Sequence, residues 1–262
     1  MKAALLALLL LALAFAAATM PAGAATTDEI FAIYARGDYE QAVRLGEAAR
    51  TAPGLAIAAR AVLAEDVLGD APCLPCLERA EGLARQAVAI DPHFAFGQVW
   101  LAVSLGYQAR LIGVVKARLK NTPAQSKVAL DAAVADDPRN AFAISALGGW
   151  HIEIVRGGGA FLAGLAYGAK ENQALALFDR AVKLAPDNVA VHYQIALSLA
   201  GFNLEKYRAR VAAELRASVS GTADTAYEKK IQGRGAELLG LLNQGAHDAF
   251  DSRVRKYQGF AD

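Results

Sequence analysis

The two cysteines of the chain stand close together as Cys73-Leu74-Pro75-Cys76, a spacing that suits either a local disulfide or dithiol exchange. No strand–helix pattern of a thioredoxin-like fold surrounds them, and Leu77 stands where a c-type haem site needs histidine. In an exported protein such a pair readily forms a disulfide. We therefore expect a structural disulfide between Cys73 and Cys76 that staples a turn, with redox catalysis as the alternative.

The remaining residues with chemical potential do not form a recognisable catalytic or metal site. His93, His151, His192 and His247 lie far apart in the sequence, without the i, i+4 spacing of a histidine metal pair. The run Arg156–Gly159 lacks the lysine and the hydroxyl residue of a phosphate-binding loop, and no nucleophile-elbow sequence occurs. We expect a protein that is not an enzyme and that uses no metal or other cofactor.

A basic segment between Ala109 and Lys127 contains no acidic residue, and the first one to follow is Asp131. Leucine, isoleucine and valine are interleaved with its cations, which predicts a basic amphipathic helix able to contact anionic lipid or an acidic partner. The alternative is a helix extension whose basic side is only solvated. The cations that would form this basic edge are Arg110, Lys116, Arg118, Lys120 and Lys127.

A second segment, Ala160 to Ala169, carries Gly164 and Gly168 in a Gly-xxx-Gly step. It is shorter than the roughly 20 apolar residues that span a bilayer, so close helix packing is the simpler interpretation. Both segments would be insertions between the helices of a repeat, and insertions at equivalent places in a helical solenoid fall on one face. We therefore expect this segment and the basic edge to meet at one end of the molecule and to face a membrane or a partner.

The helices that would position these residues repeat along the chain. The apolar spacing from Ala80 to Pro92 recurs from Ala174 to Pro186, and most of it recurs from Ala129 to Pro138. Each copy presents one apolar helix face and ends at proline, which stops a helix because it lacks a backbone donor. After the prolines a large apolar residue precedes Gly or Ala, as at Leu147-Gly148, so that the next helix can approach closely. The repetition predicts stacked helical hairpins.

The turn Gly37-Asp38-Tyr39, the alanine at position 42 and the Asp-Pro ends of the units resemble tetratricopeptide repeats (TPR). The resemblance implies an all-α fold, a TPR-like αα superhelix or solenoid. Spacings of 39, 46 and 48 residues between Pro53, Pro92, Pro138 and Pro186 exceed the roughly 34 of that motif, so the hairpins are lengthened. The expected units are 27–53, 54–92, 93–138, 139–186 and 187–225, followed by capping helices over 226–262.

The third and fourth units also resemble the helical domain of the regulator of microtubule dynamics family. This similarity rests on Trp100 to Gly106 and the basic stretch after it, on Leu147 to Trp150, on Leu165 to Ala169 and on Ala174 to Pro186. It implies the fold and no cytoskeletal role, because the signal peptide expected at the start of the chain would direct it out of the cytoplasm.

Residues 1–24 have the three parts of a secretory signal peptide: Lys2, an apolar run from Ala3 to Ala18, and an Ala-x-Ala exit ending at Ala24. The run is shorter than a typical spanning helix of roughly 20 residues, so we expect cleavage and export to the bacterial periplasm. An uncleaved anchor in the inner membrane is the alternative. Without Lys2 the chain has 26 basic and 26 acidic residues, which leaves no basic footprint for nucleic acid.

Their positions in the repeat predict that ten residues, on the first helix of successive hairpins, line the concave face of the superhelix. Its aromatic members suit an extended peptide or an apolar ligand, and ordinary packing between repeats is the competing explanation. We expect an exported scaffold or adaptor that binds a protein or peptide. The alternative is an accessory component of an exported transport system that holds a small apolar or anionic solute. The groove residues are Val99, Val103, Tyr107, Phe142, Ser145, Gly149, Ile152, Glu153, Tyr193 and Leu197.

Overall fold

The computed structural model describes residues 25–69 and 71–260, which form twelve α-helices and no named strand. The predicted all-α class is confirmed for this part of the chain, whereas the expected signal peptide at residues 1–24 lies outside the described residues. The helices are α1 Thr27–Arg36, α2 Tyr39–Ala49, α3 Ala52–Leu68, α4 Leu74–Ile90, α5 Ala95–Ile112, α6 Val114–Leu119, α7 Thr122–Asp136, α8 Ala141–Tyr167, α9 Glu171–Leu184, α10 Val189–Ser220, α11 Ala226–Gln244 and α12 His247–Tyr257.

Local sequence signals set the helix ends. Thr26 and Glu29 form a reciprocal capping box at the start of α1, which ends at Gly37 in the left-handed conformation with φ 90°. Asn140 and Asn188, which follow the repeated prolines, cap α8 and α10 by accepting hydrogen bonds from main-chain N–H groups three residues later. These capped starts, together with helix ends that lie just before Pro92, Pro138 and Pro186, set the length of the hairpins.

Consecutive helices pack as antiparallel neighbours, and each hairpin packs on the next. α1 pairs with α2, α3 with α4, α5 with α7, and α8 with α9. The first helix of each hairpin also contacts the first helix of the next one, in the order α1, α3, α5, α8, α10. Small residues permit the close crossings, since a Cβ at Gly148 would lie 2.6 Å from a ring carbon of Phe178 in α9. The buried apolar residues form two adjoining clusters, and α8 contributes to both.

The basic segment does not form the single amphipathic helix that its spacing predicts. α5 ends at Ile112, α6 covers only Val114–Leu119, and α7 begins at Thr122. The breaks lie at Gly113, with φ 80°, and at Asn121, with φ 55°; positive φ angles interrupt a right-handed helix. The cations of the segment are therefore distributed over three helices and the turn that contains Lys120.

Two long helices are bent. α8 bends at Gly159, whose φ of 72° and ψ of 155° are not helical. α10 folds back at Asn203, whose φ of −162° and ψ of 90° are not helical. Ser218 Oγ can therefore donate to the carbonyl of Val189 across 3.2 Å, a contact that a straight helix would not permit. The second half of the helix continues to Ser220.

The last two helices do more than cap the stack, the role that the sequence predicts for them. α11 packs on α10 and also reaches α1 and α3. Arg234 of α11 donates to the carbonyls of Val67 and Leu68, at 2.9 and 3.0 Å, which are unpaired groups at the end of α3. After α12, Gln258 donates from Nε2 to the carbonyl of Leu197 across 2.9 Å. The C-terminal segment thus folds back over α3 and α10.

None of the helices in residues 25–69 and 71–260 combines the length and the apolar character that crossing a bilayer requires.

Candidate functional site

A cavity of about 650 Å³ lies among α5, α6, α7 and α8, with further walls from α10 and the C-terminal Phe260. Its volume falls in the range of about 300–1,000 Å³ that small-molecule sites occupy. The lining is mostly apolar and includes Ala102, Leu105, Ala109, Ala117, Leu130, Ala146, Trp150, Ile154, Ala163 and Ala166.

Glycines keep the cavity open. Gly106 lies in the wall formed by α5, and no heavy atom lies within 4 Å of the position that a Cβ would take there. On α8, a Cβ at Gly149 would meet Ser198 Oγ at 3.4 Å, and Gly157 and Gly158 also belong to the lining. Larger side chains at these positions would occupy the space, so the glycines of α5 and α8 create the volume.

Two polar side chains of the cavity lining are already satisfied by main-chain carbonyls. Trp150 donates from Nε1 to the carbonyl of Pro123 across 2.9 Å, and Ser126 Oγ donates to the carbonyl of Ala102 across 3.2 Å. Gln194 and Ser198 of α10 are different, because neither side chain has a hydrogen-bond partner within the described part of the chain. These two residues can donate to, or accept from, a bound molecule.

One end of the cavity is positively charged. Arg110 and Arg156 share the carboxylate of Glu153, with N–O distances of 3.3 and 2.5 Å. Arg118 also lines the cavity but has no ion-pair partner among the described residues. The cavity lining thus contains three arginines and a single carboxylate, an excess of positive charge that favours an anion. The Nε of Arg110 is in addition buried without a hydrogen-bond acceptor in the described structure.

Phe260 closes this charged end. Its ring lies 4.6 Å from the guanidinium carbon of Arg156, 5.4 Å from that of Arg255 and 5.9 Å from that of Arg110, distances typical of cation–π contacts. Phe260 and Tyr107 also border a second cavity of about 320 Å³ next to Asp66. Burial raises the pKa of Tyr107, so this phenol stays neutral and can donate a hydrogen bond. The C-terminal residues therefore separate the two cavities.

The opening of the main cavity lies between α6 and the part of α8 after Gly159. Val114 and Leu162 line the cavity and are more than half exposed, which places them at its edge. A Cβ at Gly157 would lie 3.6 Å from Cγ2 of Val114, so the basic segment and the Ala160–Ala169 segment adjoin here. We call the exposed apolar residues of this opening the rim: Val114, Val115, Leu119, Phe161, Leu162 and Leu165.

The ten groove residues expected from the repeat do not form one surface. Four of them line the cavity: Val103, Tyr107, Gly149 and Glu153. Four belong to the packing between helices: Val99, Phe142, Ser145 and Ile152. The last two, Tyr193 and Leu197, are buried next to α11 and Gln258. The register of the repeat could not reveal that the C-terminal segment would fold over them.

The five cations of the expected basic edge also separate. Arg110 and Arg118 line the cavity, and Lys116 and Lys120 are exposed on and just after α6. Lys127 does not line the cavity. Its Nζ lies 2.6 Å from Oδ2 of Asp131 and 5.6 Å from the centre of the Trp150 ring.

The cysteine pair lies outside the main cavity. The sulfur atoms of Cys73 and Cys76 are 2.01 Å apart, at the disulfide distance that the sequence predicts. The sequence did not point to Asp66, whose Oδ1 accepts a hydrogen bond from the N–H of Cys73 across 2.7 Å. Burial raises the pKa of the Asp66 carboxyl. This carboxylate and the two sulfurs lie within 4.8 Å of one another, but bonded sulfurs offer no thiolate to a metal.

Sequence reasoning missed several cavity residues. Arg156 had a weak signal, since it directly precedes the glycine run, whereas Gln194, Ser198 and Phe260 had none. They come from segments that are distant in sequence and meet only through the folding back of the C-terminal part.

A comparison with protein-family models finds no match to this chain, and a comparison with curated proteins finds no significant match either.

Proposed function

We propose that this chain is a non-catalytic binding protein that holds a small amphiphile, with an apolar body and an acidic end group, in the main cavity. One observation carries the proposal: a cavity of about 650 Å³ lined by small and apolar residues has three arginines and one carboxylate at its charged positions. This proposal corresponds to the small-solute alternative of the sequence analysis.

The apolar body of the ligand would occupy the space that the glycines leave open. Leu105, Leu130 and Ile154 supply aliphatic surface, and the satisfied indole of Trp150 adds an aromatic wall. Burial of alkyl groups against such surfaces contributes about 0.8 kcal/mol per CH₂. An apolar chain thus gains affinity from most of the cavity wall.

The acidic end group would bind near Arg110, at the end of the cavity that Phe260 closes. A guanidinium binds a carboxylate or a phosphate through two parallel hydrogen bonds, and Arg110 has an Nε donor without an acceptor in the described structure. Glu153 neutralises only one of the arginines, so a ligand anion would balance the remaining charge.

We further propose that the hairpins belong to a TPR-like superhelix, as the resemblance implies. The order of contacts supports this, since each first helix touches its own partner and the first helix of the next hairpin. A scaffold function through the concave groove is less well supported, because Tyr193 and Leu197 lie under the chain's own C-terminal segment.

Export to the periplasm stays part of the proposal. A cysteine pair at disulfide distance suits an oxidising compartment, and N-terminal sequencing of the protein from a periplasmic fraction should give a chain that starts at Ala25.

Solvent extraction of the purified protein, followed by mass spectrometry, tests the ligand class. We expect a stoichiometric amphiphilic acid, and we expect the fluorescent fatty acid cis-parinaric acid to bind in a saturable 1:1 manner and more tightly than its methyl ester. Absence of any extracted ligand together with unsaturable binding of the probe would contradict the proposal.

A further inference from the structure

The rim is unusually apolar for a surface in water. Its six large side chains are between 56% and 82% exposed, and among the other large apolar residues of the described chain only Val128, at 69%, falls in this range. The six lie on two short adjoining segments, α6 and the end of α8, around one opening. Water-soluble surfaces rarely leave such residues together unless something covers them.

Cations accompany the rim without anionic neighbours. Lys116, Arg118 and Lys120 are exposed and have no side-chain partner within the described residues. No acidic residue occurs between Pro92 and Leu130, and none between Ile154 and Lys170. The segment of α6 therefore combines apolar side chains with positive charge, and the part of α8 after Gly159 adds apolar side chains without any charge.

We propose that the rim docks onto the surface of an anionic lipid bilayer, with its apolar side chains among the headgroups and the lysines on lipid phosphates. Helices with apolar and cationic residues lie in membrane interfaces in this manner. A protein partner would need directional polar contacts, about one hydrogen bond per 100–200 Å². The segment 157–169 offers only Tyr167 as a polar side chain, which suits lipid better.

The docked orientation would place the opening of the main cavity against the bilayer. Val114 and Leu162 belong both to the rim and to the cavity lining, so an apolar chain could pass from the membrane into the cavity without crossing water. This second step rests on the proposed function, whereas docking itself does not.

Flotation with phosphatidylcholine vesicles, with and without phosphatidylglycerol, tests the docking. The wild-type protein should float only with the anionic vesicles. The double change Lys116→Glu and Lys120→Glu should weaken this binding at least about 25-fold, since each cation near an anionic surface contributes about fivefold. The matched control is Lys229→Glu with Lys230→Glu, because these two lysines are exposed on α11, and it should bind as the wild type does.

The apolar contribution is tested by Phe161→Ser with Leu165→Ser, which alters two rim residues outside the cavity lining. This variant should lose flotation yet keep its affinity for cis-parinaric acid, whereas a variant with a filled cavity should float and lose the probe. Equal flotation of the rim and control variants would overturn the proposal. Self-association that disappears in the serine variant, without any vesicle binding, would overturn it too and assign the rim to a second copy.

Discussion

The Nδ1 atom of His192 lies 2.5 Å from Oε2 of Glu214, and both side chains are buried between the two halves of α10. The other ring nitrogen of His192 lies 2.7 Å from the carbonyl oxygen of Pro186. A carboxylate and a carbonyl oxygen both accept hydrogen bonds, so this arrangement favours the imidazolium, which can donate from both ring nitrogens. The hydrogen bond to Glu214 raises the pKa of His192 more than burial lowers it, and Arg210 also contacts Glu214.

Stability should therefore depend on the protonation of His192. Because its folded-state pKa is raised, its contribution is complete below the unfolded pKa of about 6.5 and disappears as pH rises through the folded pKa. We expect the free energy of unfolding to fall over that window relative to His192→Gln, which does not titrate there. Urea unfolding followed by circular dichroism measures the difference. Parallel pH curves for the two proteins would show that folding does not shift the pKa of His192, which would contradict the prediction.

Filling the cavity should abolish ligand binding without harming the fold. In Gly106→Leu the new side chain enters open space, and loss of a helix glycine stabilises by about 1 kcal/mol. We expect at least tenfold weaker binding of cis-parinaric acid and an unchanged or higher Tm. Gly82→Leu is the matched control, since Gly82 is an interior glycine of α4 with equally open surroundings outside the cavity. Unchanged probe affinity in Gly106→Leu would exclude the cavity as the site.

The arginines should select the acidic group. Arg110→Met removes a charged donor, and hydrogen bonds to charged groups contribute about 1.5–3 kcal/mol, so the acid should bind about 10-fold to 150-fold more weakly. The methyl ester should change little. Arg208→Met is the control, because Arg208 also donates to a main-chain carbonyl, that of Leu242, away from the cavity. Equal losses for acid and ester would mean that Arg110 acts on packing alone.

The disulfide should act on stability and not on binding. Replacing Cys73 and Cys76 by serine should lower the free energy of unfolding by about 2 kcal/mol, the chain-entropy value for so short a loop. Probe affinity should stay the same because neither cysteine lines the cavity. Denaturation with and without reductant gives the measurement, and the serine variant should not respond to reductant. Efficient turnover in an insulin-reduction assay would contradict a structural role.

The sequence was informative where local physics decides the structure. The helix faces that precede Pro92 and Pro186 and the caps at Asn140 and Asn188 are local features, and the described helices follow them. The cysteine spacing likewise permits only a short local bridge, and Cys73 and Cys76 are at bonding distance.

The cavity could not be predicted in the same way, because its wall joins residues that are distant in sequence. Arg110 contacts the carbonyl of Gln258 across 2.8 Å, and no periodic pattern announces that contact. The spacing of the basic segment suggested one helix, but positive φ angles at Gly113 and Asn121 turned it into a rim around an opening. The spacing of the repeat therefore predicted the helices but not the cavity that they enclose.

The bonds from Arg234 to the end of α3 join parts of the chain that are 166 and 167 positions apart. In an open array of repeats, stability is a sum over neighbours and the ends fray independently. Because α11 is bonded to the end of α3, neither end of the described stack is a free repeat. The protein should therefore unfold in one concerted transition. Deletion of the final two helices should then destabilise the N-terminal hairpins as strongly as the C-terminal ones.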